Sequence, residues 1–281
     1  MDIIRNPEAM QSRSLELKRQ GRTIGFVPTM GFLHEGHLSL MRLAAESCDV
    51  LVVSIFVNPA QFGPNEDLEA YPRDFERDEA LCRQEGVDIL FYPPAESMYA
   101  VDASVWVDEE LLSRGLCGAS RPGHFRGVCT VVAKLFNLVL PDLAVFGEKD
   151  AQQLRIIERM VRDLNFPVRI LRGPIVREAD GLALSSRNRY LDESQRCAAL
   201  CLRRALDAAE HLVRNGEREV AEIRMHMEKE IDKMPGAEMD YISFVDDRSL
   251  QPADRVEGRI LVAIAVRIGP TRLIDNTVVE A

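Results

Sequence analysis

The sequence predicts a doubly wound α/β domain with a parallel sheet, followed by a smaller α+β domain. In the first part of the chain, short continuous apolar runs rich in β-branched residues alternate with stretches that carry apolar residues at helical spacing. Such alternation indicates parallel strands joined by right-handed helical crossovers. From about residue 176 the pattern changes to helices followed by three strands, so we assign residues 1–175 to the first domain and 176–281 to the second.

The elements of the first domain follow from these two patterns in chain order. Residues 1–20 predict a short strand and an amphipathic helix, without the basic, apolar and small-residue order of a leader. The apolar runs predict buried strands at TIGFVPT (23–29), DVLVVSIFV (49–57), VDILFY (87–92), LAVFG (143–147) and PVRIL (167–171). The stretches with helical spacing are residues 36–47, 74–86, 127–140 and 150–164.

The second domain begins with helices and ends with strands. Residues 192–216 predict one long helix, because an acidic N-cap signal precedes it and Gly216 ends it. Residues 219–234 predict another helix, which stops before Pro235-Gly236. Residues 237–246, 259–269 and 271–279 then predict three strands.

Composition excludes several classes of function. The net charge of −10 argues against non-specific binding to nucleic acid or anionic membranes. The longest apolar runs, at 50–57 and 260–266, are far shorter than the ~20 residues of a membrane span. The six cysteines form no C-x-x-C pair, which predicts reduced, mostly buried thiols and a cytoplasmic protein. Cys197 and Cys201, one helical turn apart, are expected to pack in the core.

The stretch FVPTMGFLHEGHLSL (26–40) is the strongest candidate site, because it holds two of the five histidines between a strand end and a helix start. Ligands of doubly wound sheets bind there, and backbone N–H groups at a helix start can hold a phosphate. Gly31 and Gly36 would allow close approach of the backbone, and His34 and His37 would share one helix face. Alternatively, one histidine caps the helix and the other is a surface residue. A zinc site lacks further ligands.

Four other polar stretches suit small anionic or hydroxylated ligands. The loop after 49–57 carries the amides Asn58 and Gln61, which both donate and accept hydrogen bonds. Arg121, His124 and Arg126 precede a predicted helix start, and Lys149 follows a strand end. Ser185–Asn188 forms a polar turn at the domain junction. Each stretch alone is compatible with an ordinary solvated loop, and the chain has no P-loop and no G-x-G-x-x-G motif.

Six motifs in register resemble those of the pantoate–β-alanine ligase (pantothenate synthetase) family over essentially the whole chain. They are PTMGFLHEGH (28–37), NPAQF (58–62), YPRD (71–74), RPGHFRG (121–127), FGEKDAQQ (146–153) and DGLALSSRN (180–188). The first contains an H-x-G-H signature that nucleotidylyltransferases share more loosely. The resemblance implies a Rossmann-like first domain and ATP-dependent condensation of (R)-pantoate with β-alanine through a pantoyl adenylate, releasing AMP and pyrophosphate.

The resemblance also implies roles for individual residues. The catalytic residues, which would act at the phosphates of ATP, would be His34, His37, Lys149, Ser185, Ser186 and Arg187. ATP would be bound by Pro28, Thr29, Met30, Gly31, Phe32, Leu33, His34, Glu35, Gly36, His37, Gly147, Glu148, Lys149, Asp150, Val176, Leu184, Ser185, Ser186 and Arg187. Pantoate would be bound by Gln61 and Gln153, and β-alanine would also be bound by Gln61. The amide of Asn58 and the guanidinium of Arg121 suit the same ligand, so we group these two residues with the pantoate-binding glutamines.

Mg²⁺ is expected to arrive with ATP and to be held by phosphate oxygens and water, so no residue is assigned to it. The family resemblance implies a homodimer, and the second domain is expected to act as a lid that keeps the acyl adenylate from water. Two alternatives remain: a nucleotidylyltransferase that releases its adenylylated product, and a catalytically silent nucleotide-binding regulator.

Overall fold

The first part of the chain contains a six-stranded parallel sheet. The computed structural model describes residues 1–64 and 66–281. The helices and strands of the first part of the chain are β1 (Asp2–Ile4), α1 (Pro7–Arg19), β2 (Ile24–Thr29), α2 (Glu35–Ala45), β3 (Val50–Ile55), α3 (Phe75–Gln84), β4 (Ile89–Phe91), α4 (Ala95–Met98), α5 (Leu116–Ser120), α6 (His124–Val139), β5 (Leu143–Gly147), α7 (Ala151–Asp163) and β6 (Arg169–Gly173). The predicted strands and crossover helices are confirmed. The short helices α4 and α5 were not predicted, since each is at most 5 residues long and has no measurable periodicity.

The strand order is β1-β4-β3-β2-β5-β6, and neighbouring strands are parallel. Strand β3 pairs with one side of β2, and β4 pairs with the far side of β3. Strand β5 then pairs with the other side of β2. The strand order therefore reverses between β2 and β5. In an open α/β sheet the ligand crevice lies at the carboxyl ends of the strands at such a switch point.

Burial on both faces explains the continuous apolar sequence of β2 and β3, in which five of six and six of six residues are buried, respectively. Helix α2 packs against β2, β3, β5 and β6. On this face the core consists of Val27, Leu33, Leu38, Leu40, Met41, Ala44, Leu51, Val53, Ile55, Cys82, Val87, Leu90, Leu143 and Val145. Helix α6 contacts β2, and α1 packs on α6. The sheet thus fixes where the loops after β2, β3 and β5 begin.

The last part of the chain contains an antiparallel sheet and three helices. These are α8 (Glu193–Ala199), α9 (Cys201–Arg214), α10 (Val220–Asp232), β7 (Ala237–Asp246), β8 (Arg259–Ile268) and β9 (Thr271–Glu280), with strand order β7-β8-β9. The three predicted strands and the fold class are confirmed. A second apolar core lies between this sheet and α9 and α10.

The chain divides into two compact units. The first unit comprises Met1–Leu111, Arg121–Glu148 and Gln153–Pro174, and the second comprises Leu112–Ser120, Lys149–Gln152 and Ile175–Ala281. The chain therefore passes from one unit to the other five times, and the last passage, between Pro174 and Ile175, lies beside the predicted boundary at 175/176. The earlier crossings have no sequence signal, since a segment's unit depends on its tertiary contacts. The functional division into two domains stays a prediction.

Two predictions of helix boundaries are wrong. The long helix at 192–216 is broken at Leu200, which ends α8 and precedes α9. Cys201 is buried as expected, but Cys197 lies on α8 and is exposed. Helix α6 begins at His124, because Gly123 adopts φ +81° at its N-cap, so His124 and Arg126 lie inside the helix rather than before it. Within the described residues, no helix is long and apolar enough to cross a membrane.

Candidate active site

The chain turns sharply after β2. Gly31 has φ +83° and Phe32 has φ +49°, so two successive residues adopt the left-handed conformation. A side chain at Gly31 would bring its Cβ within 2.9 Å of Ile55 Cγ2 and 3.0 Å of Asp78 Oδ2. Glycine is therefore required here both for its conformation and for the close approach of the backbone. The Thr29 hydroxyl accepts from the Gly31 N–H at 3.1 Å.

His34 and His37 lie together at the start of α2. Their ring centroids are 4.0 Å apart, and both side chains are half-buried. His34 takes the N-cap position with extended backbone, and its N–H donates to His37 Nδ1 at 3.3 Å. His34 thus takes the N-cap position that the capping alternative expects, and His37 is half-buried rather than fully exposed.

The bond to His37 Nδ1 determines the proton position on the ring. A nitrogen that accepts from an N–H carries no proton, so the neutral imidazole of His37 has its proton on Nε2. His37 therefore presents an Nε2–H donor beside the helix start, where the first N–H groups have no intrahelical partner. Glu35, in the same turn, has its carboxylate bound to Arg42 at 2.5 Å. This hydrogen bond lowers the pKa of Glu35, and it leaves the backbone as the part of Glu35 available to a ligand.

The loop after β3 positions a pair of buried amides. Asn58 is 1% exposed and Gln61 is 8% exposed. Asn58 Oδ1 accepts from the Ala60 N–H at 3.3 Å and from the Tyr99 hydroxyl at 2.9 Å. Asn58 Nδ2 donates to the Gly127 carbonyl and to Gln61 Oε1, both at 3.1 Å.

Contacts with backbone groups determine the orientation of both amides. The Ala60 N–H can only donate and the Gly127 carbonyl can only accept, so Asn58 has a single satisfactory orientation. Gln61 must then turn Oε1 toward Asn58, and its NH₂ group contacts Met30 Sδ at 3.1 Å. Gln61 therefore presents a donor at the turn after β2. Donors bind the carboxylate or hydroxyl oxygens of a substrate.

Arg121 is bound within the first unit. It forms a bidentate ion pair with Glu66, at 2.5 and 2.8 Å, and contacts His124 Nε2 at 3.0 Å. His124 Nδ1 in turn donates to the Gln61 carbonyl at 2.9 Å. Burial acts to raise the pKa of Glu66, but the hydrogen bonds and charge of Arg121 outweigh it and lower that pKa. This arrangement favours a supporting role for Arg121 behind Gln61 over direct contact with pantoate.

The segment after β5 separates the two neighbouring glutamines. In the second unit, the side chain of Gln152 donates to the carbonyls of Leu112 and Gly115, at 2.7 and 2.8 Å. In the first unit, Gln153 is half-buried, and its side chain has no hydrogen-bond partner in the described part of the chain. Of these two glutamines, Gln153 is thus the one whose side chain is not engaged within the described residues, and its binding of pantoate stays a prediction.

The second unit contains the predicted residues Lys149, Asp150, Val176 and Leu184–Arg187, whereas Gly147 and Glu148 lie in the first unit. Lys149 Nζ lies 3.8 Å from Asp150, and the Lys149 carbonyl accepts from Asn276 at 3.0 Å. Leu184 N–H donates to the Val176 carbonyl at 3.0 Å, which brings these two residues together. Ser185 caps a 3₁₀ turn over Ser186–Tyr190.

The turn residue Asn188 has a structural role, because its amide donates to Glu178 at 2.9 Å and to the Ala183 carbonyl at 3.1 Å. The side chains of Ser185, Ser186 and Arg187 are half-buried.

Several supporting residues have no sequence signal. Asp78, Tyr99 and Glu66 hold the turn after β2 or support the amide pair, yet each is distant in sequence from the group it contacts. His124 was a candidate from the sequence, but its contact with the Gln61 carbonyl has no sequence signal either. A cavity of about 570 Å³ adjoins the turn, lined among others by Met30, Gly31, Phe32, Asp78 and Tyr92. Neither histidine of the turn belongs to its lining.

The chain is similar to known proteins over nearly its whole length. Residues 2–278 match the family model described as pantoate-beta-alanine ligase. Pantothenate synthetase of Heliobacterium modesticaldum is 58% identical over 280 residues, covering 100% of both chains. A solved pantothenate synthetase from Thermus thermophilus has a TM-score of 0.94 at 46% identity, covering 99% of both chains.

The pantoate-beta-alanine ligase of Francisella tularensis, solved with beta-gamma ATP and beta-alanine, has a TM-score of 0.81 at 35% identity and covers 99% of this chain and 97% of its own. Both structures share the doubly wound fold with its smaller C-terminal part. The chain belongs to the pantoate-beta-alanine ligase family.

Proposed function

We propose that the chain condenses (R)-pantoate with β-alanine at the expense of ATP, producing pantothenate, AMP and pyrophosphate. Membership of the family supports this reaction. The structural observation that carries the proposal is the pair of directed donors near the end of β2. One is His37 Nε2–H at the start of α2, and the other is the Gln61 NH₂ group at Met30.

The first step activates the carboxylate. A pantoate carboxylate oxygen attacks the α-phosphorus of ATP, and the bond from that phosphorus to the bridging oxygen breaks, so that pyrophosphate leaves and pantoyl adenylate forms. Negative charge accumulates on the phosphoryl oxygens during this transfer. A preorganised donor such as His37 Nε2–H binds these oxygens more strongly in the transition state than in the ground state, which accelerates the step.

The second step forms the amide. The amine of β-alanine attacks the acyl carbon of the adenylate, the bond from that carbon to the AMP oxygen breaks, and the nitrogen loses a proton. AMP is the leaving group, so no covalent enzyme nucleophile is required. Gln61 and Gln153 are proposed to orient pantoate, and Gln61 also β-alanine. Orientation is a large part of the rate advantage in such two-substrate reactions.

The triphosphate requires further positive charge and donors. We assign this role to Lys149, Ser185, Ser186 and Arg187, together with the backbone around Gly147–Asp150, Val176 and Leu184, from the family motifs. ATP is expected to bind as its Mg²⁺ complex. Residues 1–64 and 66–281 contain no cluster of three or more His, Cys, Asp or Glu side chains that could hold a metal ion. We propose that phosphate oxygens and water hold the ion.

The test is a coupled assay in which ATP, pantoate and β-alanine are omitted in turn. Pantothenate, detected by mass spectrometry, should appear only when all three are present, with one AMP for each amide. Pyrophosphate release that needs pantoate but yields no amide would favour a nucleotidylyltransferase that releases its adenylylated product. ATP binding without turnover under any condition would favour a silent regulator.

A homodimer and a cytoplasmic location belong to the same proposal. Val101, Val105 and Leu111 are large apolar residues exposed in one segment of the first unit, and burying them between two copies would be favourable. Light scattering should report twice the chain mass of 31.6 kDa; the single mass would refute the dimer.

All six cysteines are free, as expected in a reducing compartment. The lid role of residues 176–281 stays a prediction.

A further inference from the structure

Asp78 connects helix α3 to the turn after β2. Its Oδ2 accepts from the Phe32 N–H at 2.6 Å, and its Oδ1 accepts from the Leu33 N–H at 2.7 Å. Asp78 is 1% exposed. Each carboxylate oxygen thus binds one backbone amide of the turn, and neither amide belongs to a helix or a strand.

The turn needs such a partner. Phe32 has φ +49°, a conformation that costs free energy for a residue with a Cβ. Buried N–H groups outside regular structure must also find an acceptor. A carboxylate is the one side-chain group that accepts at two oxygens and donates at neither. Asp78 therefore satisfies both amides and holds the turn in its left-handed conformation.

The buried carboxylate is not explained by helix stability. Asp74 is the residue that caps α3, accepting from the Arg77 N–H at 3.2 Å, whereas Asp78 lies one turn further along the helix. Burial raises the pKa of Asp78, and the two backbone N–H bonds only partly offset this effect. Burying a carboxylate is costly unless hydrogen bonds compensate. Here both compensating bonds go to the turn that carries the histidines.

A short path leads from Asp78 to the reacting groups. Leu33, bound by Asp78, directly precedes His34, and the His34 N–H donates to His37 Nδ1. We infer that Asp78 is a positioning residue, which sets the place and orientation of the His37 imidazole through the backbone of the turn. This role rests on the proposed function, in which His37 donates to the phosphoryl oxygens.

The substitution Asp78→Asn tests this role at nearly constant shape. The amide keeps one acceptor oxygen but turns an NH₂ group toward the second backbone N–H, which displaces the turn. We expect the single-turnover rate of adenylation to fall by about 10- to 100-fold, while the dissociation constant for ATP changes less than about threefold, since the other phosphate contacts remain.

Asp74→Ala is the matched control, because it removes the cap of the same helix and leaves both bonds to the turn intact. It should lower the unfolding temperature, yet keep the adenylation rate within about twofold of the parent when the protein is folded. A rate for Asp78→Asn within twofold of the parent would overturn the inference. So would an equal loss of rate in Asp74→Ala.

Amide hydrogen exchange tests the same contact without any variant. In the parent protein, the Phe32 and Leu33 amides should exchange at least about 100-fold more slowly than amides of an unstructured chain. Exchange at the unstructured rate would overturn the inference even if Asp78→Asn fails to fold. Absence of adenylation in the parent itself would instead refute the proposed function, and the exchange result would still decide the role of Asp78 in the turn.

Discussion

Substitution of His37 by asparagine separates the two hydrogen bonds that its imidazole can form. The amide oxygen of asparagine occupies nearly the place of Nδ1 and can still accept from the His34 N–H, which donates at 3.3 Å in the parent. Asparagine has no group at the place of Nε2. His37→Asn therefore keeps the contact that orders the helix start and removes the donor proposed for the phosphoryl oxygens.

The expected size follows from the loss of one preorganised donor. Removing such a donor slows acyl-transfer enzymes by roughly 10²- to 10³-fold, or about 2.7–4 kcal/mol of transition-state stabilisation. We expect a loss of this size in the single-turnover rate of pantoyl adenylate formation, measured by rapid quench. The dissociation constant for ATP, measured by calorimetry, should rise by less than about tenfold, because the ground state uses this bond less.

The complementary variant His37→Gln supplies the control. Its amide reaches the place of Nε2 and can donate, so part of the lost rate should return, whereas the acceptor for His34 is lost. Its free energy of unfolding should accordingly fall by about 0.5–1.5 kcal/mol relative to His37→Asn. A parent-like rate in His37→Asn, or a rise in the ATP dissociation constant as large as the fall in rate, would refute the reasoning.

Three further outcomes follow from the site and its support. Gln61→Ala should raise the pantoate dissociation constant at least about tenfold and leave that of ATP nearly unchanged, and calorimetry showing the reverse would reject the assignment. The pKa of Glu66 is lowered from 4.5, so its ion pair stabilises the fold above that pH and is lost as the pH falls below it; Glu66→Gln should flatten this loss in acid unfolding curves, and parallel curves would contradict it. Gly127→Ala would place a Cβ 2.3 Å from the Ala60 carbonyl oxygen, so it should cost at least about 2 kcal/mol in urea unfolding. Gly115→Ala, which meets no atom within 4 Å, is its control and should change stability by less than about 0.5 kcal/mol.

Short-range signals made much of the fold predictable. Strands β2 and β3 are buried on both faces, and a continuous apolar run in the sequence predicts a strand of this kind. The break at Leu200 was not predictable in the same way, because residues 192–216 keep helical spacing throughout and tertiary packing decides where the helix is interrupted. The predicted start of α6 at residue 127 is wrong because the helix begins after Gly123, whose left-handed backbone at the N-cap is a property of the folded chain.

The candidate site was likewise predictable from the sequence only in part. The sequence by itself determined the family, the order of the motifs and the histidine turn between a strand end and a helix start, since these depend on residues close together in the chain. Only the tertiary structure decided what those residues face. Asp78 reaches Phe32 across 46 positions, Tyr99 reaches Asn58 across 41, and Arg121 is bound to Glu66 across 55. The tautomer of His37 and the donor end of Gln61 depend on which atoms lie within hydrogen-bonding distance, and folding alone brings those atoms together.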